Sequence, residues 1–262
     1  MIIDSFRLDG ATAFVSGAAG NLNRAMATAL AQAGAHVILN GRRPERLTAF
    51  ADELKSAGHS CETASFDVGD FDQVRAFFTR RERLDVLVNS AISMTPKPFA
   101  ELSPEDFAGT YASAVTAAFE AARAALPALR RAAAVAGEAR IVNIATMYAT
   151  VAPDKRIYSR PEQQSPFHYG PAKAALLQLT RHLAAELGAE RIRVNALIPG
   201  PFPTPEARSD NPVLAQRLAA KTMLGRLGEA HEIAAPLLFL ASRASSYVTG
   251  ACLAVDGGWT AW

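Results

Sequence analysis

The chain has 262 residues, 27 lysines and arginines against 25 aspartates and glutamates, and a formal net charge of +2; 50% of it is hydrophobic and 20% charged. That length can bury a sizeable core, and so even a charge balance argues against nucleic acid or an anionic membrane as partner. The two cysteines, Cys61 and Cys252, fit neither a disulfide framework nor a metal-ligand spacing, so no metal site and a reducing, cytoplasmic setting are expected. Asp4, Arg7 and Asp9 break up the N-terminal stretch where a signal peptide would be apolar. No uncharged apolar run reaches the ~18 residues of a membrane span.

Residues 11–16 form a short apolar, β-rich run. The small-residue turn 17–20 leads into an Ala-rich helix over 21–34, with Leu22, Met26, Ala29 and Leu30 on its apolar face and Gly34 as its stop. Residues 36–40 read as a second strand and complete a βαβ unit. The pattern then recurs. Helix 44–57 leads to strand 61–66, helix 71–80 to strand 85–89, and helix 104–134 to strand 140–145. A helix from Pro171 onward leads to strand 192–197, and helix 233–241 to strand 252–255. Alternating βα units with apolar strands predict an α/β fold, a doubly wound parallel sheet with helices on both faces. Nothing in the composition divides residues 1–262, so one domain is expected. In such a sheet the ligand lies beyond the carboxyl ends of the strands. Residues 17–23, 40–43, 67, 89–90, 146 and 199–204 all fall at those ends.

Tyr169 and Lys173 lie four residues apart where the chain turns helical, so they share one helix face. An ammonium beside a phenol favours the phenolate. Tyr169 is therefore a candidate proton donor or acceptor near neutral pH, with Lys173 as its modulator.

Seven short matches in chain order resemble the short-chain dehydrogenase/reductase family. They are Ser16-Gly17, Asp67-Val68, Asn89, Tyr169-x-x-x-Lys173, Arg193-Val-Asn195, Pro199-Gly200 with Thr204, and Val255-Asp-Gly-Gly258. The resemblance implies a Rossmann-type nicotinamide fold and a dehydrogenase or reductase acting on a CH–OH group. It makes Tyr169, Lys173 and Thr146 the catalytic set, with Thr146 at the family's serine position. It implies that Ser16, Gly17, Gly20, Asn21 and Leu22 form the cofactor turn, that Asp67 and Val68 hold the adenine, and that Asn89, Ser90 and Ala91 flank the nucleotide. Lys173 would also bind the nicotinamide ribose, while Pro199, Gly200 and Thr204 would line the carboxamide. The second strand ends in Asn40-Gly41-Arg42-Arg43, with no carboxylate for a ribose 2′-hydroxyl. A guanidinium grips a 2′-phosphate instead, which favours NADP(H) through Arg42, with NAD(H) as the alternative.

The chain departs from the family pattern in several places. Asn21 and Asn23 replace two glycines of the turn, Ile92 replaces the glycine of the family's Asn-Asn-Ala-Gly after the fourth strand, and Ala114 stands where the proton relay has an asparagine, leaving Ser113 or a water to fill that gap. Thr146 and Tyr169 are 23 residues apart, wider than the family's usual interval, so residues 147–168 form a long active-site loop. Its Lys155, Arg156, Arg160 and His168 would suit an anionic substrate. Residues 201–226 resemble a substrate flap, and this loop with the Trp-Thr-Ala-Trp ending resembles sugar- and polyol-acting members. The expected substrate is a small carbonyl or alcohol compound, and the expected assembly a homodimer or homotetramer. Two alternatives keep the fold: a nucleotide-binding regulator or partner subunit with degraded redox activity, and a lyase or epimerase using Tyr169 as base.

Overall fold

Seven stretches take up strand geometry: β1 (Thr12–Val15), β2 (His36–Gly41), β3 (Cys61–Ser65), β4 (Val86–Asn89), β5 (Ala139–Ile144), β6 (Ile192–Pro199) and β7 (Cys252–Val255). In this computed structural model, which describes residues 1–160 and 163–262, they form one all-parallel sheet in the order β3-β2-β1-β4-β5-β6-β7. Parallel neighbours require crossovers, and helices supply them. These are α1 (Asn21–Gln32), α2 (Pro44–Ser56), α3 (Phe71–Thr79), α4 (Pro104–Tyr111), α5 (Ala117–Ala136), α6 (Tyr169–Leu187), α7 (Pro205–Asp210), α8 (Pro212–Ala220) and α9 (Ala234–Ala241).

Strand alternation divides the core between the two faces of the sheet. Ala13 and Val15 point to one face, where Met26 and Leu30 of α1, Leu47 and Phe50 of α2, and Leu237 of α9 cover them. Phe14 points to the other, into a cluster with Val74 and Phe78 of α3, Leu129 of α5 and Leu187 of α6. Phe14 packs its ring 5.0 Å from Phe78 and 5.5 Å from Phe77, contacts that would cost about 3–5 kcal/mol to delete by Phe14→Ala. This is the doubly wound parallel sheet the alternation predicts, in the Rossmann-type arrangement the resemblance implies. No described helix is long and apolar enough to cross a membrane.

Three details differ from the sequence reading. The run expected as one helix over 104–134 is α4 and α5 joined by a wide π turn at Ala112–Thr116. There the Ser113 hydroxyl donates to the carbonyls of Ser93 (2.8 Å) and Thr110 (3.1 Å), which ties the turn to the segment after β4. Helix α6 begins at Tyr169, ahead of Pro171, because a first-turn residue has no intrahelical acceptor for the amide proton that proline lacks. Strand β6 runs on to Pro199.

The amino ends of β5 and β6 hold a buried charge cluster. Glu138 accepts from Arg140 (2.5 Å) and Arg193 (2.7 Å), and Arg193 also donates to Ser245 Oγ and to the carbonyls of Ser242 and Val248. Asn195 completes the tie, donating to the Val248 carbonyl and accepting from the Ala251 amide. The Arg193-Val-Asn195 motif thus fastens α9 and the start of β7 to the sheet, at the edge opposite the strand carboxyl ends.

Candidate active site

Sheet order reverses at β1, which pairs with β2 on one side and β4 on the other, and the crevice at their carboxyl ends opens there. Leaving β1, Gly17 adopts a left-handed φ of +66°, a conformation open to glycine at little cost. The turn then enters α1 through Gly20, which offers no side-chain cap to the first amide protons of the helix. Asn21, the first residue of α1, is exposed, and Leu22 is partly buried. Uncapped amides at a helix start attract anions.

Several expected cofactor residues make internal contacts. Ser16 is 3% exposed, and its Oγ accepts from the amides of Ser90 (2.8 Å) and Ala91 (3.0 Å), locking the ends of β1 and β4 together. Asn23 Nδ2 donates to the Gly17 carbonyl at 2.8 Å, while its Oδ1 accepts from Ser90 Oγ at 2.6 Å. The side chain that replaces a family glycine therefore bridges the turn to the end of β4. Asn89 donates to Asn143 Oδ1 (2.9 Å), and Asn143 donates in turn to Thr180 Oγ1 (2.9 Å). That buried chain ties β4 and β5 to α6. The sequence reading missed Asn143 and Thr180, whose only signal was polarity inside an apolar strand and helix.

A cavity of about 290 Å³ runs from this turn to the end of β2, lined among others by Gly17, Gly20, Arg42, Asp67, Val68 and Ala91. Arg42 and Asp67 approach to 3.6 Å with both side chains largely exposed, a loose pair that leaves the guanidinium free to meet another anion. Arg43 and Arg46 line the same cavity. Arg46 was not singled out in sequence, although three arginines within five residues were there to be counted.

A second crevice of about 200 Å³ shares Asn23, Ser90 and Ile92 with the first, and brings in Thr146, Tyr169, Lys173, Pro199 and Gly200. Thr146 is buried and accepts weakly from the Tyr148 amide (3.4 Å). Burial raises the Tyr169 pKa, and the Thr146 hydroxyl offsets part of that rise. Lys173 is 2% exposed, and its Nζ donates to the Ile144 carbonyl at 2.6 Å. Burial pushes its pKa down to about 8. Burial thus pushes the phenol up, opposite to the depression expected from the lysine, and desolvation is the largest influence on both groups. A further cavity of about 10 Å³ lies among Asn89, Ser113, Ala114 and Lys173, room for about one water. The Ser113 hydroxyl borders this cavity but is engaged with Ser93 and Thr110.

Gly200 packs so tightly that a Cβ would stand 2.5 Å from the Asp256 Cα. Thr204 caps α7, accepting from the Ala207 amide at 3.2 Å. In the long loop, Arg156 chelates Asp154 through two bonds of 2.9 Å and is 89% exposed. His168 is fully buried. Among the described residues none of Lys155, Arg156, Arg160 and His168 lines the crevice that holds Tyr169, so the geometry lends no support to an anion site there.

A family model described as enoyl-(acyl carrier protein) reductase matches residues 17–260. Galactitol 2-dehydrogenase (L-tagatose-forming) of Cereibacter sphaeroides is 39% identical, the match covering 98% of each chain. Gluconate 5-dehydrogenase of Gluconobacter oxydans is 34% identical over 98% of this chain and 97% of its own. The crystal structure of a gluconate 5-dehydrogenase from Burkholderia cenocepacia in complex with NADP and tartrate superposes with a TM-score of 0.86, at 30% identity and with 100% of both chains covered.

Proposed function

Because the chain belongs to the short-chain dehydrogenase/reductase family, we propose that it is an NADP(H)-dependent oxidoreductase acting on a secondary alcohol or carbonyl of a sugar- or polyol-like substrate. One observation carries the reading: Tyr169, Lys173 and Thr146 share a crevice that continues into an arginine-lined cavity. The residues present fit a phosphorylated dinucleotide. Uncapped amides at the start of α1 suit a diphosphate, the left-handed Gly17 lets it approach, and Arg42 with Arg43 and Arg46 suits a 2′-phosphate. Asp67 and Val68 would hold the adenine, and Pro199, Gly200 and Thr204 the carboxamide. Bound there, the nicotinamide supplies or takes up the hydride.

The chain's own residues manage the oxygen and its proton. Thr146 Oγ1 orients the substrate oxygen. Tyr169, kept protonated by burial, donates its phenolic proton to a carbonyl oxygen as it becomes a hydroxyl, and takes a proton back in the reverse direction. Lys173, charged at neutral pH with a pKa of about 8, favours the phenolate that each donation leaves. Relatives that act on galactitol and gluconate support hydroxylated substrates. The same reading includes a homodimer or homotetramer, supported by the partly exposed Phe119 on α5, and cytoplasmic residence, supported by two free thiols.

Titrating NADPH and NADH by nucleotide fluorescence, then following reduced nicotinamide with polyols and sugar acids, tests the proposal. NADPH should bind more tightly, and Tyr169→Phe should lower turnover about 10²- to 10⁴-fold while nucleotide binding persists. Failure of both nucleotides to bind refutes the proposal. Binding without turnover on a broad panel favours the regulator, and product without net cofactor change favours the lyase or epimerase.

A further inference from the structure

The inserted loop meets the flap at two points. Asp154 Oδ2 accepts from Lys221 Nζ at 2.8 Å, at the end of α8. One turn earlier on α8, Arg217 Nη1 donates to the Ile157 carbonyl (3.2 Å) and to Ser159 Oγ (3.0 Å). Between these points Ile157 is buried in an apolar cluster with Trp259, and Leu218 of α8 packs against it. Lys221 also lies 5.7 Å from the Trp259 ring centre, and Trp262 Nε1 donates to the Lys221 carbonyl at 3.1 Å. The assembly reaches the catalytic tyrosine through aromatic contacts. The hydroxyls of Tyr158 and Tyr148 stand 2.6 Å apart, the Tyr148 ring meets Trp259 edge-on, and the Tyr148 carbonyl lies where a Cβ on Gly170, the residue after Tyr169, would meet it at 2.6 Å.

We propose that Asp154 is a positioning residue: through Lys221 it locks the inserted loop to α8, so that loop, flap and C-terminal segment form one wall of the substrate pocket beside Tyr169. The proposal rests on the dehydrogenase reading for what the wall encloses. The Asp154 carboxylate is only 15% exposed and Lys221 only 32%, so the pair is shielded as an open surface pair is not. Arg156 is 89% exposed and its contact with Asp154 spans two residues of the same loop, so it cannot carry the tie to α8.

Two measurements on the full chain test the clamp, and the first needs no turnover. Hydrogen exchange in Asp154→Asn or Lys221→Met should accelerate together in segments 154–160 and 212–221, while Arg156→Ala leaves 212–221 unchanged. With a polyol substrate, the first two variants should raise KM about three- to tenfold with kcat within about twofold, the signature of lost ground-state positioning. The exchanged pair, Asp154→Lys with Lys221→Asp, should recover most of the KM. Faster exchange confined to 154–160, an unchanged KM, or Arg156→Ala reproducing the effects would overturn the proposal. If the unaltered protein binds no nucleotide, the dehydrogenase reading fails, and exchange still decides whether Asp154 holds the flap.

Discussion

Replacing Asn23 by glycine would restore the residue that the family carries at that point, and the geometry predicts harm. Asn23 Nδ2 meets the Gly17 carbonyl at 2.8 Å, and its Oδ1 receives Ser90 Oγ at 2.6 Å; a third contact, to the Ser16 carbonyl at 3.4 Å, is too long to add much. Two well-formed, partly buried bonds contribute about 1 kcal/mol each. Glycine adds a conformational cost of a few tenths of a kcal/mol in the first helical turn. Asn23→Gly should therefore lose about 2 kcal/mol, which for a chain of this size lowers Tm by roughly 4–8 °C. The loosened turn should also weaken NADPH binding severalfold, since a preorganised cradle binds more tightly than one that must be ordered. Urea denaturation without nucleotide, followed by fluorescence titration of NADPH, reads both effects. A variant as stable as the parent, or one that binds NADPH more tightly, would refute the view that Asn23 bridges the turn to β4.

Further predictions concern charge and close packing. The Lys173 pKa falls from 10.5 to about 8 on folding, so between those pH values the unfolded chain binds more protons, and the destabilisation from burying the ammonium fades as pH rises from 8 towards 10.5. Lys173→Met should flatten this rise in stability and move the urea midpoint upward at pH 7; a slope parallel to the parent's would contradict it. Arg42→Ala should weaken NADPH binding about tenfold and leave NADH within about twofold, read by paired titrations; equal losses for both nucleotides would remove Arg42 from the 2′-phosphate. Gly200→Ala drives a Cβ to 2.5 Å from the Asp256 Cα and should cost about 2–3 kcal/mol. Gly109→Ala, with nothing within 4 Å on helix α4, should instead gain about 0.5–1 kcal/mol. The denaturation midpoints of the two variants should therefore move in opposite directions.

The succession of strands and helices along the chain and the strand-end positions of the key residues were legible because apolar periodicity and turn chemistry are local, and a parallel sheet follows from their alternation; the order of the strands within it was not. Long-range polar pairing was not legible. Nothing near Asn89 announces that its amide meets Asn143, and nothing near Asn23 announces Ser90. The break between α4 and α5 was equally hidden, since Ala112–Thr116 reads as helix and widens where Ser113 is drawn to Ser93. Pro171 misplaced the start of α6 because proline is tolerated throughout a first turn, not only at its first residue. The charge on Arg156 is visible in the sequence, but its pairing with Asp154 two residues away depends on the local loop geometry.

The buried cluster of Glu138, Arg140 and Arg193 gives the molecule a division of labour. It joins β5, β6 and the segment after α9 at the amino edge of the sheet, while every candidate catalytic side chain hangs from the carboxyl edge. Cohesion anchored at one rim frees the other to diversify. Asn21 and Asn23 in the turn after β1, and Ala114 beside Asn89 and Lys173, all lie on that freer rim, where side chains can change without dismantling the sheet that presents them.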